Sequence, residues 1–327
     1  MKKIIGVASG GYTSERAISK KSGQVVFEAI KAEAIDCFQI DIGLDHWEVI
    51  DEEGTTYPLH KNDFSFEKEG KQLQFDCVVN MIHGAPGENG ELAQYLEERN
   101  IAHTSCDAKM AEITYDKRAC LVLANEHGFP SAKRIHLNKE DAFNPARIEA
   151  EVGYPCFVKA NRAGSSFGVY KVNTPQELPA ALEGAFQEDE QLLIEAALEG
   201  REITVGVLEW KGEVKVLPIT EIISENDFFD YEAKYEGKSQ EITPAKLPLE
   251  WEEKAIKMAK KLYTTLGLTG ITRSEFIFEN GVPHLLEINT IPGMTLQSII
   301  PQQAEAAGIS LTQLIMGVIE TSLAKKA

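Results

Sequence analysis

Two carboxylates, an arginine and an asparagine recur at alternate positions in one stretch of this chain, GITRSEFIFENGVPHLLEINT, residues 270–290. Strand alternation puts Arg273, Glu275 and Ile277 on one face, and Leu285, Glu287 and Asn289 on one face of the strand that returns. The turn between them decides whether the two rows meet. A three-residue turn, Asn280 to Val282, sets Glu275 opposite Glu287 and Arg273 opposite Asn289, whereas a two-residue Asn-Gly turn shifts the register by one and separates them. Like charges facing each other about 5 Å apart at Cβ destabilise a sheet, so the first arrangement asks for a bound cation. Oxygen-only donors suit Mg²⁺, with Mn²⁺ as an alternative; Mg²⁺ keeps positions for water and for substrate phosphates. The competing reading is a solvated edge with scattered charges. It is disfavoured because the polar cluster sits among Ile, Phe and Leu, where it needs partners.

A second stretch, VKANRAGSSFGVYKV at 158–172, places Lys159 between apolar residues and follows it with glycines and serines. Val158, Val169 and Val172 with Phe157 and Tyr170 read as two short strands, and Ala163 to Gly168 as the hairpin connection between them. Taken alone this is a solvated hairpin tip with a snorkelling lysine. Beside a metal site it becomes a lid whose N–H groups and hydroxyls wrap anionic oxygens above a fixed cation, the parts of a nucleoside triphosphate site. The Walker spacing GxxxxGK[ST] is absent, and so is a GxGxxG after the first strand. Those absences argue against a P-loop ATPase and a dinucleotide-dependent dehydrogenase.

The elements that must carry these residues come from a chain of 327 residues, long enough for two or three domains. Lys and Arg number 33 against 51 Asp and Glu, for a net charge of −18, with 43% apolar and 26% charged residues. So acidic a surface repels nucleic acid and anionic membranes, which leaves small molecules or proteins as partners. The opening MKKIIGVASGG has too short an apolar run for a signal peptide, no stretch reaches membrane-spanning length, and a cytoplasmic location is expected. Five cysteines without a CxxC pair suit reduced, buried thiols better than disulfides or zinc.

The first third alternates strand and helix signals: KIIGVAS, a helix capped by Ser14 with Ile18, Val25, Ala29 and Ile30 on its apolar face, CFQIDI, a polar hairpin near FEKEGKQLQF, DCVVNMI, helix ELAQYLEER and strand IAHTS. This predicts a parallel α/β sheet with ligand loops after the strand C-terminal ends. HGAPGENG, at 83–90, follows such a strand. One long helix capped by Asp107 is expected up to Gly128, then a small domain of strands and helices to about residue 194, with one helix starting at Asn138. A hairpin with its turn at Lys211-Gly212 follows, then an aperiodic stretch from Ser224 to Pro248 and a helix that buries Trp251, Ala255, Met258 and Leu262 and ends at Gly267. Singly, Glu15 reads as a dipole-friendly residue of a first helical turn, His83 as a turn residue, Tyr231 and Tyr235 as core aromatics and Lys234 as a solvated lysine.

Together the motifs resemble the D-alanine:D-alanine ligases of the ATP-grasp superfamily. The similarity runs through GGYTSERAIS (10–19), HGAPGENG (83–90), YDK (115–117), VKANRAGSSFGV (158–169), IEAALEGRE (194–202), FFDYEAKY (228–235), GITRSEF (270–276) and EINTIPGMTLQSIIP (287–301). The resemblance implies an ATP-grasp fold of mixed α/β and α+β class in three domains, 1–105 (parallel α/β, substrate), 106–194 (lid) and 195–327 (catalytic). It implies that Lys117 and Lys159 hold ATP phosphates, that Ser165 and Ser166 belong to the lid, and that Glu195 and Glu202 accept hydrogen bonds from adenine and ribose. Glu275, Glu287 and Asn289 would ligate two Mg²⁺. Glu15 would bind the ammonium of the first D-alanine, with Ser165 and Tyr235 bridging to it. His83 would line that substrate's carboxylate region, Lys234 would belong to a long loop closing over the phosphates, and Ser298 would take the second D-alanine's carboxylate. Arg273 and the Gly293 N–H would steady the oxyanion. A homodimer is implied as well.

This chain departs from the common family pattern at four positions. Glu275 stands in place of aspartate, Phe229 in place of the first tyrosine of FYDY, Asn89 in place of the acid of GEDG, and Ala160 in place of the proline of VKP. Tyr235 is kept, which in the family accompanies amide rather than ester formation.

Overall fold

The computed structural model describes residues 2–164, 167–224 and 239–326. Its first sheet contains β1 (Lys3–Gly10), β2 (Ile35–Ile42), β3 (Trp47–Ile50), β4 (Thr56–Pro58), β7 (Cys77–Asn80) and β8 (Ala102–His103), in the order β4-β3-β2-β1-β7-β8. The hairpin β5 (Ser65–Lys68) and β6 (Lys71–Gln74) stands apart. β1 lies between β2 and β7 and is parallel to both. It is apolar on both faces because both are covered: Ile5 and Val7 join one core, and Ala8 joins another with Ile40 and Val78.

Helix α1 (Arg16–Ile30) follows β1. Its N-cap is Glu15 rather than Ser14, and its buried stripe runs through Ser19, Ser22, Gly23, Val26, Phe27 and Ile30 instead of Ile18, Val25 and Ala29. Gly23 explains the difference. A Cβ there would lie 2.5 Å from Ser9 Cβ, so the helix closes on β1 along its line of small residues. Helix α2 (Glu91–Glu98) follows the HGAPGENG loop.

The single helix expected from Asp107 is two, α3 (Ala108–Tyr115) and α4 (Lys117–Glu126). Asp116 takes an extended conformation (φ −86°, ψ 102°) and caps the second helix, its Oδ1 accepting from Ala119 N at 2.9 Å. Tertiary bonds outweigh helix continuity here: Arg118 N donates to Asn161 Oδ1 (2.9 Å), and Arg162 Nη2 lies 2.6 Å from Asp116 Oδ2.

The second sheet is antiparallel, in the order β11-β10-β12-β9, from β9 (Arg134–Asn138), β10 (Cys156–Ala160), β11 (Val169–Val172) and β12 (Gln191–Ala196). Helices α5 (Pro145–Glu151) and α6 (Leu178–Ala185) contribute to its core. α5 starts later than expected, because Asn144 and not Asn138 caps it, accepting from Ala146 N at 3.0 Å.

The third sheet comprises β13 (Arg201–Trp210), β14 (Glu213–Val216), β15 (Thr220–Ser224), β16 (Ser239–Ile242), β17 (Ile271–Glu279) and β18 (Val282–Asn289), in the order β16-β15-β13-β17-β18 with β14 paired to β13. Helix α7 (Leu249–Thr265) buries Ala255, Ala259, Leu262 and Tyr263. Trp251 and Met258 are half-buried at its margin, Trp251 stacking on Phe278 with centroids 4.7 Å apart. Met110, Cys120 and Leu121 of α3 and α4 share this core with Phe276, Phe278, Leu285 and Ile288. Helices α8 (Ile299–Ala306) and α9 (Leu311–Lys326) tie the ends of the chain together, since Leu314, Ile315 and Val318 pack in one core with Ile5, Val26 and Ile30.

The β17–β18 turn is the two-residue Asn280-Gly281, both at positive φ (52° and 76°), with Glu279 opposite Val282. That register alone would separate the carboxylates. A bulge restores it: Phe276 pairs with Leu285 but Glu275 pairs with Glu287 and Arg273 with Asn289, which leaves Leu286 as the extra residue. The same bulge puts Leu285 on the core face with Ile288, not on the face of Glu287 and Asn289. Among the described residues no disulfide joins the cysteines, and no single helix is long and apolar enough to cross a membrane.

Candidate active site

A cavity of about 510 Å³ opens where β1 and β7 end, and it gathers eight of the residues singled out in the sequence. Glu15 and His83 line it from the first sheet, Lys117 from the start of α4, and Arg273, Glu287 and Asn289 from β17 and β18. Gly293 and Ser298 come from the loop before α8. Each sits where its backbone forces it. Glu15 is the last residue before α1, Lys117 the first after the break at Asp116, and Arg273, Glu287 and Asn289 of β17 and β18 face one way because of the bulge at Leu286.

The loop after β10 reaches this cavity through Gly164. A Cβ at that position would lie 2.7 Å from Glu15 Oε2, so the glycine lets the loop after β10 pass over the Glu15 carboxylate. Lys117 Nζ donates to Ala163 O at 2.7 Å and lies 3.6 Å from Glu287 Oε2, which links the loop to the acidic strand pair. At the far wall a Cβ on Gly293 would meet Ser298 Oγ at 2.9 Å, and Ser298 Oγ accepts from Thr295 N at 3.1 Å. The loop from Thr290 to Ser298 thus curls around its own serine.

Lys159, Glu195 and Glu202 stand outside the cavity walls, on the second sheet and the start of β13. Lys159 Nζ lies 2.9 Å from Glu195 Oε2, with both side chains largely buried. Burial works against its charge, but Glu195 and the further carboxylates of Glu287 and Glu202 hold its pKa above the ordinary lysine value. Glu202 pairs with Ile277 and Thr204 with Glu275, so Glu202 lies on the same sheet face as Arg273 and Glu275.

Charged groups within the site lie against one another. Arg273 Nη1 grips Glu275 Oε1, and burial of this arginine is outweighed by Glu275 and Glu287, which raise its pKa. Half-buried Glu88 accepts from Gly84 N at 2.7 Å. Burial, then the Glu15 charge, push its carboxyl up to about 8, against the Gly84 N–H and Lys117. Glu241, beside Arg273 and Glu275, is also raised by burial and accepts from Gln302 Nε2 at 3.0 Å. His83 is buried and its pKa lowered by burial, so the ring is held neutral. Ser165, Ser166, Lys234 and Tyr235 lie outside the described residues.

Comparison with known proteins matches residues 4–106 to the model of the D-ala D-ala ligase N-terminus and residues 123–320 to that of the D-ala D-ala ligase C-terminus. The chain belongs to the D-alanine–D-alanine ligase family. A D-alanine–D-alanine ligase of Flavobacterium johnsoniae is 49% identical over 98% of this chain and 100% of its own, and one of Christiangramia forsetii is 47% identical over the whole of both. Among solved structures, the VanG D-Ala:D-Ser ligase from Enterococcus faecalis superposes with a TM-score of 0.85 at 30% identity, covering 98% of this chain and 99% of that one. The Bacillus anthracis D-alanine–D-alanine ligase complexed with ATP gives 0.79 at 27% identity, covering 99% and 98%. The fold of this chain is therefore the ATP-grasp fold of these ligases.

Family membership implies ATP and a divalent metal ion. The residues present fit such an ion. Glu275, Glu287 and Asn289 are hard oxygen donors in register on one sheet face, the donor set of Mg²⁺ or Mn²⁺. Arginine and lysine lie against the two carboxylates, and Asn289 Oδ1 accepts from Ile291 N at 2.9 Å, which fixes the amide's direction.

Sequence reasoning passed over several residues that shape the site. Glu88 lay inside a quoted motif without a role. Ser19 and Ser22 stand four and seven residues after Glu15, one helical face, and reach His83: His83 N donates to Ser19 Oγ at 2.9 Å, and Ser22 Oγ is 3.2 Å from His83 Nε2. That spacing was the available signal.

Proposed function

We propose that this ligase joins two D-alanines with ATP, through an acyl phosphate, to give the dipeptide used in peptidoglycan precursors. The observation that carries the reading is the single cavity in which Glu15 and His83 meet Lys117, Arg273, Glu287 and Asn289. An amino-acid end and a phosphate end share one space there.

In this reading Glu15 pairs with the ammonium of the first D-alanine, and His83 lines its carboxylate end. One oxygen of that carboxylate attacks the γ-phosphorus of ATP and ADP leaves, giving the acyl phosphate. Lys117 and Lys159 neutralise the phosphoryl oxygens, Glu195 and Glu202 accept from adenine and ribose, and Glu275, Glu287 and Asn289 hold the divalent ions. Those ions, two Mg²⁺ by analogy with the family, supply charge neutralisation on the triphosphate. Ser298 takes the carboxylate of the second D-alanine, whose free amine attacks the acyl carbon. Arg273 and the Gly293 N–H stabilise the oxyanion that forms, and it collapses with release of phosphate. Ser165, Ser166, Lys234 and Tyr235 are assigned by analogy with the family to the exclusion of the water that would hydrolyse the acyl phosphate. Division at 1–105, 106–194 and 195–327, a homodimer and a cytoplasmic setting complete the reading.

The test is phosphate release from ATP with D-alanine, with L-alanine, and with D-alanine plus D-lactate. Release that requires D-alanine, with D-alanyl-D-alanine as product, is expected. Release indifferent to D-alanine rejects the reading.

A further inference from the structure

Three elements meet at one hydroxyl. Ser22 is fully buried on α1 and lies 3.2 Å from His83 Nε2 on the loop after β7, while Met294 N donates to it at 3.4 Å from the loop before α8. Met294 is also fully buried, so neither partner has water as a substitute. Gly23, seated against Ser9, is what brings α1 near enough for the serine to reach both.

A neutral imidazole has a single N–H. With Nε2 accepting from the Ser22 hydroxyl, its hydrogen-bond partner among the described residues, that N–H sits on Nδ1. Ser22 Oγ can give its proton because its lone pair, not its hydrogen, is used by Met294 N–H. Through Ser22 the ring is tied both to α1 and to the 290–294 loop.

The Met294 bond matters for a different reason. Its N–H belongs to the peptide that follows Gly293, and glycine has no side chain of its own to fix its dihedrals. Anchoring that peptide on Ser22 constrains the preceding one, which carries the N–H of Gly293 in the cavity wall. We propose that Ser22 is a positioning residue, which fixes the tautomer of His83 and the aim of the Gly293 N–H together. The inference rests on the ligase reading for what the aim serves, but not for the tautomer.

Long-range ¹H–¹⁵N correlation spectra of the full chain labelled at histidine, without substrates, read the tautomer directly, with His83→Gln identifying the signal. The wild-type ring shows a protonated Nδ1 and a bare Nε2. In Ser22→Ala the Nε2 acceptor loses its donor, and a population with protonated Nε2 appears. Ser22→Cys, a weak donor of similar shape, falls between the two and serves if the alanine variant does not fold. With D-alanine and ATP, kcat falls roughly ten- to hundredfold in Ser22→Ala while KM for ATP stays within about twofold. An unchanged His83 tautomer in both variants overturns the inference, whatever happens to kcat, and so does an unchanged kcat. Wild-type protein without D-alanine-dependent turnover would instead defeat the ligase reading, and the spectra would still decide the proton.

Discussion

Glu275 and Glu287 face each other across β17 and β18 although the turn joining those strands has only two residues. Leu286 is the reason. As the extra residue of the bulge it turns Glu287 and Asn289 away from the core that Leu285 and Ile288 fill. One residue thereby reconciles an Asn-Gly turn, which suits strand twist, with a pair of carboxylates that needs a different register.

Lys159 and Glu195 form a pair with 17% and 5% of their side chains exposed. Removal of one partner leaves the other charged and enclosed, which typically costs about 3–5 kcal/mol. Glu195→Ala is expected to lower unfolding free energy by that order in urea titration. A loss under about 1 kcal/mol would mean that Lys159 finds solvent or another carboxylate, and that the pair contributes little.

Gly164→Ala tests the lid's approach to Glu15. The added methyl meets a flexible carboxylate end 2.7 Å away rather than backbone, so global stability should hardly change. The Glu15 carboxylate must move, and KM for D-alanine should rise roughly tenfold or more, since displacements near 1 Å are costly in a reacting geometry. Steady-state kinetics with a melting curve on the same variant separate the two effects, and an unchanged KM contradicts the placement.

The Glu88 carboxyl has its pKa raised from 4.5 to about 8. Between those values the folded chain binds one proton more than the unfolded chain at this group, so its contribution to stability falls as pH rises and is fully lost above about 8. Glu88→Gln stays neutral throughout. Its stability relative to wild type should therefore climb from pH 5 to pH 9 in parallel urea titrations, and a difference that stays flat with pH would refute the raised pKa.

Much of this site was legible because its residues travel in motifs at strand and helix ends. Glu15 and His83 each lie at an element that the apolar pattern located, whereas Lys117 begins a helix that the pattern did not separate. What the pattern missed was tertiary. The break at Asp116 carries no glycine or proline, and helical periodicity runs straight through it; residues distant in sequence, among them Asn161 and Arg162, hold it. The bulge at Leu286 has no local signature either, so the strand register stayed open between two turns. Ser19 and Ser22 are polar residues on a buried face, which a hydrophobic period cannot mark. The start of α1 was misplaced by one residue because Ser14 has the cap residue's chemistry while Glu15 has its position.

The account depends on the carboxylate of Glu287 serving a divalent ion at the triphosphate. Turnover of Glu287→Gln with saturating ATP, D-alanine and Mg²⁺, measured beside its melting temperature, tests this most directly. Loss of turnover by at least about a hundredfold with melting unchanged is the predicted result, in line with removing a charged group from such a site. Near-normal dipeptide formation by that variant would contradict the account.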